Sequence, residues 1–191
     1  MKRTALITLL VLAAALPAAA QVHFGITGGW YTPYSSTKDY AKSGYDGGIV
    51  LGIGAPVVPV SFRVDATYGE LPGKNVDVGG GNTIKSDFNV YGASGNVVWN
   101  VIGATLPTKV YLIGGIGYYK VEQKYSVSGV PPVPTVNQSA FGYNAGLGFK
   151  FTLFFIEARY TSISNGVNTT AYSGSGSKAL TVIPVNVGVM F

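Results

Sequence analysis

The sequence predicts an all-β chain: eight antiparallel strands closing into an up-and-down barrel that spans a membrane. Three observations predict it. Segments of the length that crosses a bilayer at a tilt, about 9–11 residues, alternate apolar and polar side chains with a period of two. The connections between these segments alternate long and short. Only 11% of the chain is charged while 47% is hydrophobic, against about 25% charged in ordinary soluble domains.

Residues 1–20 read as a separate unit. Met1-Lys2-Arg3 supplies a charged head, Thr4 to Leu16 a short apolar run, and Pro17 with Ala18-Ala19-Ala20 a small-residue cleavage site before Gln21. This is the pattern of a cleaved secretory signal peptide. The apolar run is shorter than the ~17–20 residues of a spanning helix. No Cys stands near the cleavage site to take a lipid anchor. Residues 21–191 are then expected to form one barrel domain without disulfides, because the sequence contains no Cys. Without Lys2 and Arg3 the formal net charge of +5 falls to +3, and no Lys/Arg cluster suggests nucleic acid.

In the first strand, Val22 to Tyr34, Phe24, Ile26, Gly28 and Trp30 oppose His23, Gly25, Thr27 and Gly29. After the polar stretch Ser35 to Ser43, the second strand, Gly44 to Ala55, sets Tyr45, Ile49, Leu51 and Ile53 against Asp46, Gly48, Gly52 and Gly54. Pro56-Val-Val-Pro59 is a tight turn, since two prolines do not fit a central ladder. The third strand, Val60 to Leu71, has Val60, Phe62, Val64, Ala66 and Tyr68 opposite Ser61, Arg63, Asp65, Thr67 and Gly69. A long loop, Pro72 to Lys85, leads to the fourth strand, Ser86 to Val101, with Tyr91, Ala93, Val97, Trp99 and Val101 on one face.

A short link through Pro107 precedes the fifth strand, Lys109 to Gln123, whose register is blurred by Gly114, Gly115 and Gly117. Lys124 to Ser139 is a further long loop. The sixth strand, Ala140 to Thr152, opposes Phe141, Tyr143, Ala145, Leu147, Phe149 and Phe151 to Gly142, Asn144, Gly146, Gly148 and Lys150. It turns at once into the seventh, Phe154 to Ser164, where Ile156, Ala158 and Tyr160 oppose Phe155, Glu157, Arg159 and Thr161. Asn165 to Lys178 is the last long loop, and the final strand starts at Leu180.

Two sorting patterns point to lipid as the outer solvent. The apolar faces of the seven strands with a clear register are expected to carry no Lys, Arg, Asp or Glu, as a charge at mid-bilayer costs ~2–4 kcal/mol. Aromatic residues also sort to the two ends. With both termini periplasmic, Trp30, Tyr45, Tyr68, Tyr91, Tyr118, Tyr143 and Tyr160 form an outer girdle. Trp99, Phe149, Phe151, Phe154 and Phe191 form the periplasmic one. The alternative of a soluble lipocalin-like barrel requires these uncharged faces to turn inward.

The closing strand, with Ile183, Val185, Val187, Val189 and Phe191 on one face, resembles the terminal strand of Gram-negative-type outer-membrane barrels. That resemblance implies that Val187, Val189 and Phe191 act as the signal read by the barrel assembly machinery, with Tyr160 left to the girdle. The layout as a whole resembles the small eight-stranded outer-membrane barrels, the OmpA transmembrane domain and OmpX-type proteins, without the peptidoglycan-binding domain that many OmpA proteins carry. It implies a bacterial outer-membrane location. It also implies outer-membrane lipids, lipopolysaccharide, periplasmic chaperones and the assembly machinery as partners, and a monomer.

The inward faces supply one chemical constellation. Arg63 and Asp65 on the third strand and Glu157 and Arg159 on the seventh face opposite walls at matched heights from the periplasmic turns. In a lumen just wide enough for side chains, opposite charges are expected to pair and plug it, with Lys150, Asn96, Asn144 and Asn186 extending the network. The competing expectation is a narrow, low-conductance pore opened when the pairs exchange. An enzyme of the outer-membrane acyltransferase type would need His with Ser and an acid near the outer leaflet. The single His, His23, falls at the periplasmic end. No catalysis, cofactor or metal site is therefore expected; the remaining candidate for function is the set of long outer loops.

Overall fold

The computed structural model describes residues 21–55, 58–77, 83–103, 107–127, 135–168 and 177–191. Residues 1–20, read from the sequence as a signal peptide, lie outside them. Nine strands run in the described residues: β1 Gln21–Pro33, β2 Gly44–Gly54, β3 Val60–Leu71, β4 Asn75–Asp77, β5 Thr83–Ile102, β6 Thr108–Val127, β7 Val136–Phe151, β8 Phe154–Asn168 and β9 Ser177–Met190. One helical turn, α1, spans Thr37–Tyr40.

Every neighbouring pair is antiparallel. β1 pairs with both β2 and β9, and β3 pairs with β5, so eight strands close on themselves and β4 adds only a short outer pairing to β5. Closure removes the free edges that lipid does not tolerate, because no water is present there to satisfy them. The last residue takes part: Phe191 N–H donates to Phe24 O at 2.7 Å, and Phe24 N–H donates to Phe191 O at 3.2 Å.

The alternation read from the sequence divides the wall. Ile26, Ile49, Val64, Val97, Leu147 and Val187 point outward and are exposed, with Ile116 at 73%. Arg63, Asp65, Asn96, Asn144 and Glu157 point inward and are buried. So broad an exposed apolar belt marks a surface meant for lipid, and the lipocalin-like alternative is excluded by its direction. In β6, where glycines blur the pattern, Leu112, Ile116 and Tyr118 are exposed while Tyr111, Ile113, Tyr119 and Val121 are buried, which fixes the register.

Both girdles lie on the outward face. Trp30 is the cross-strand partner of Tyr45, and Tyr68 of Tyr91, with the last two rings 5.0 Å apart. Tyr118 stacks edge-on against Phe141 at 5.3 Å, and Tyr143 lies 6.2 Å from Tyr160. At the other end, Phe151 faces Phe154 across the β7–β8 turn, and Trp99, Phe149 and Phe191 are exposed.

Three sequence-based expectations need correction. The strands extend further than expected: β5 and β6 are each 20 residues, and residues assigned to long loops, such as Asn75–Asp77 and Lys124 to Val127, lie in the sheet. Polar outward faces disguise these extensions, because beyond the lipid the outer solvent is water. The outward faces are also not free of charge. Glu70 follows Tyr68 outward on β3, and Lys85 and Asp87 lie on the outward face of β5. All three stand at the outer ends of their strands, where a charge costs only about 0–1 kcal/mol. Glu70 accepts hydrogen bonds from Tyr45 Oη, at 2.5 Å, and from Tyr68 Oη. Finally, the stretch Ser35 to Ser43 is no simple polar loop. It carries α1, and Thr37 and Ala41 are buried over the outer mouth of the barrel.

Candidate functional site: the layered lumen

The inward residues fill the barrel in layers. At the turn end lies a hollow of about 440 Å³, lined among others by His23, Ser61, Arg63, Asn100, Lys109 and Lys150. Short turns mark this as the periplasmic end in barrels of this class.

Above the hollow four charged side chains meet. Arg63 reaches across from β3 to Glu157 on β8 through Nη1 and Nη2, both at 2.9 Å. It also donates from Nε to Asp65 Oδ1 at 2.8 Å. Arg159 Nη1 lies 2.6 Å from Asp65 Oδ2, and its Nε donates to Glu157 Oε1. Each guanidinium thus binds both carboxylates, and two positive charges balance two negative ones. The matched heights of the residues on opposite walls, set by the short turns that precede β3 and β8, produce this crossing.

Neutral donors complete the shell. Tyr111 Oη donates to Glu157 Oε2 at 2.9 Å, and Asn96 Nδ2 donates to Asp65 Oδ2 at 3.0 Å. Asp65 and Glu157 are 1% and 3% exposed. Carboxylates so deeply buried need this many charge-assisted donors to offset desolvation. The Arg63 guanidinium also sits 5.5 Å from the centre of the Phe155 ring.

Lys150 departs from its expected role. It makes no ion pair among the described residues and lines the hollow below the quartet. Asn96 does join the quartet. Asn186 instead donates from Nδ2 to Asp46 Oδ2 at 2.8 Å, while Asn144 is buried without a direct bond to the charges. The sequence pattern places Asp46 inward but gives it no part. Tyr111 escapes sequence reasoning because the β6 register is ambiguous there.

The outer half of the lumen holds the larger apolar cluster. Tyr31, Leu71, Phe88, Val90, Tyr119, Val121, Ile163, Val167, Leu180 and Val182 form one buried cluster, with Ala41 from the α1 segment packed over it. Thr37 ties that segment down by accepting a hydrogen bond from the Thr181 N–H at 2.8 Å. Two further backbone bonds of 2.7 Å, Lys42 N–H to Pro72 O and Lys74 N–H to Tyr40 O, hold it to the β3–β4 connection. Inward glycines make room for the large rings: a Cβ at Gly92 would fall 2.7 Å from the Tyr119 ring, and one at Gly188 would collide with that of Phe155.

Outside the lumen, a groove of about 630 Å³ walled by Ile26, Phe149, Phe154, Ile156 and Val187 faces the lipid. Its nearly wholly apolar lining suits acyl chains. His23 lies at the turn end with Nδ1 3.2 Å from the Phe191 carbonyl. Among the described residues no group of three metal-ligating side chains converges.

Comparison with curated proteins gave no match. Among solved structures, the chain is similar to Neisserial surface protein A, at 14% identity and a TM-score of 0.57, covering 90% of this chain and 99% of that one. It is similar also to a major outer membrane protein from Thermus thermophilus, at 14% identity and a TM-score of 0.53, covering 90% and 100%. At such identities these likenesses speak for the fold. The family model of the outer membrane protein beta-barrel domain matches residues 4–191. The chain therefore belongs to the outer membrane protein β-barrel family, and its place is the bacterial outer membrane.

Proposed function

We propose that this barrel is a closed wall element of the outer membrane, structural or surface-interacting in role, catalysing nothing and conducting nothing. The observation that carries this reading is the filling of the lumen by two different seals in series. One is the Arg63–Asp65–Glu157–Arg159 quartet. The other is the apolar cluster around Phe88 and Tyr119, with the α1 segment over it. An ion crossing the first would still face a buried apolar layer, where an unpaired charge is strongly disfavoured. The work of such a molecule is done at its surfaces: the lipid-facing belt and the strand ends that rise past the outer girdle.

Planar-bilayer conductance of the refolded residues 21–191 tests this. Silence is expected from the wild type and from Arg63→Ala with Glu157→Ala, since the apolar seal remains. Leakage is expected once Phe88→Ala and Tyr119→Ala are added. Discrete wild-type openings, altered in size or selectivity by the Arg63 and Glu157 substitutions, would overturn the closed reading in favour of a narrow pore.

A further inference from the structure

Lys109 and Lys150 are direct cross-strand partners on β6 and β7, and both line the periplasmic hollow. Like charges directly opposite each other destabilise a sheet. The sequence holds eight acidic residues. Of these, Asp65 and Glu157 are committed to Arg63 and Arg159, and Asp46 accepts from Asn186. No carboxylate side chain lines the hollow, and neither lysine has an ion-pair partner among the described residues. Arg63, at its inner end, uses four of its five N–H donors on the quartet and has one left.

We propose that the hollow is a binding site for a small polyvalent oxyanion, phosphate- or carboxylate-bearing, held between the Lys109 and Lys150 ammonium groups beneath the Arg63 guanidinium. The anion relieves the repulsion between the lysines and meets charged donors from two adjacent strands and from the inner end of the hollow. Ser61, Asn100 and Thr152, which also line the hollow, add neutral groups able to donate. The ligand enters from the periplasmic side, so the site is compatible with a lumen closed above it. Its proof or failure is independent of conductance.

The test is thermal unfolding of refolded protein in uncharged detergent, titrated with inorganic phosphate against chloride at equal ionic strength. A saturable rise in Tm is expected for the wild type and for Lys42→Gln, an exposed outer-loop control. The variant Lys109→Gln with Lys150→Gln is expected to need at least tenfold more phosphate. Without phosphate it should unfold no lower than the wild type, because the repulsion is gone. A second arm uses nanodiscs of phosphatidylglycerol or phosphatidylcholine. A lysine-dependent rise in Tm confined to phosphatidylglycerol discs would identify the oxyanion as a lipid headgroup bound at this same site. The absence of any saturable effect in either arm, or the same effect in the double variant, would overturn the proposal.

Discussion

Tyr111 and Gly148 are direct partners across β6 and β7, and the tyrosine ring occupies the space a side chain at 148 would need. A Cβ there would collide with Tyr111 Cζ. The same ring carries the hydroxyl that donates to Glu157. Gly148→Ala is therefore expected to displace Tyr111 and weaken the quartet as well as crowd the lumen. A loss of about 1–3 kcal/mol, the usual cost of overpacking, should appear in urea unfolding from detergent. Adding Tyr111→Leu should recover the crowding part but not the lost hydrogen bond; full additivity of the two changes would show that the residues do not interact.

Phe88 is completely buried in the outer half of the lumen. Truncation of a core phenylalanine costs about 3–5 kcal/mol, but here the damage should be local. Hydrogen exchange in Phe88→Ala is expected to rise at the outer ends of β5 and β6 and to stay slow around Asp65 and Glu157. Uniform acceleration along the strands would show that the two layers are not separate.

Val64 is exposed on the lipid face of β3, midway between the residues of the two girdles, with Leu51 as its partner. Val64→Arg is expected to destabilise the barrel in bilayers by about 2–4 kcal/mol, the mid-membrane cost of arginine. Glu70→Gln, on the same face but beyond the Tyr68 ring, should change it little. Equal effects at the two positions would place the lipid boundary wrongly.

Phe191 contributes its backbone to ring closure and exposes its side chain. Phe191→Ser keeps those backbone bonds. Refolding from urea into detergent should therefore proceed as in the wild type, while the yield in the outer membrane of living cells falls severalfold. Normal yield in cells would remove the assembly-signal role from Phe191.

Much of this molecule is legible because a membrane barrel is written in one period. Phe62, Val64 and Ala66 against Arg63 and Asp65 fix both faces of β3 with no knowledge of the partner strands. Short turns then set equal heights for Arg63 and Glu157, so the crossing ion pairs follow from counting. Legibility ends where the solvent changes. Past the girdle, Asn75–Asp77, Lys85 and Lys124 to Val127 look like loop composition, although they continue the sheet and Tyr125 among them is buried. The burial of Thr37 and Ala41 depends on contacts with Thr181 and Gly73, far away in sequence and invisible to a local pattern. Lys150 shares a face with the ion pairs and nothing more; its distance from them is set by the low position of the β7–β8 turn.

The unequal strands give the barrel a slanted rim. β5 and β6, at 20 residues each, stand beside β2 with 11 and β3 with 12. Outward of the girdle residues Tyr45 and Tyr91, β2 continues for one residue and β5 for eight. At about 3.3 Å per residue, β5 thus has roughly 23 Å more contour to spend above the bilayer. A crest therefore overlooks a low shoulder, and a body descending from outside meets the β5–β6 crest well before the β1–β2 side. An antibody or phage fibre too broad to reach the shoulder would see one edge of this molecule and never its centre.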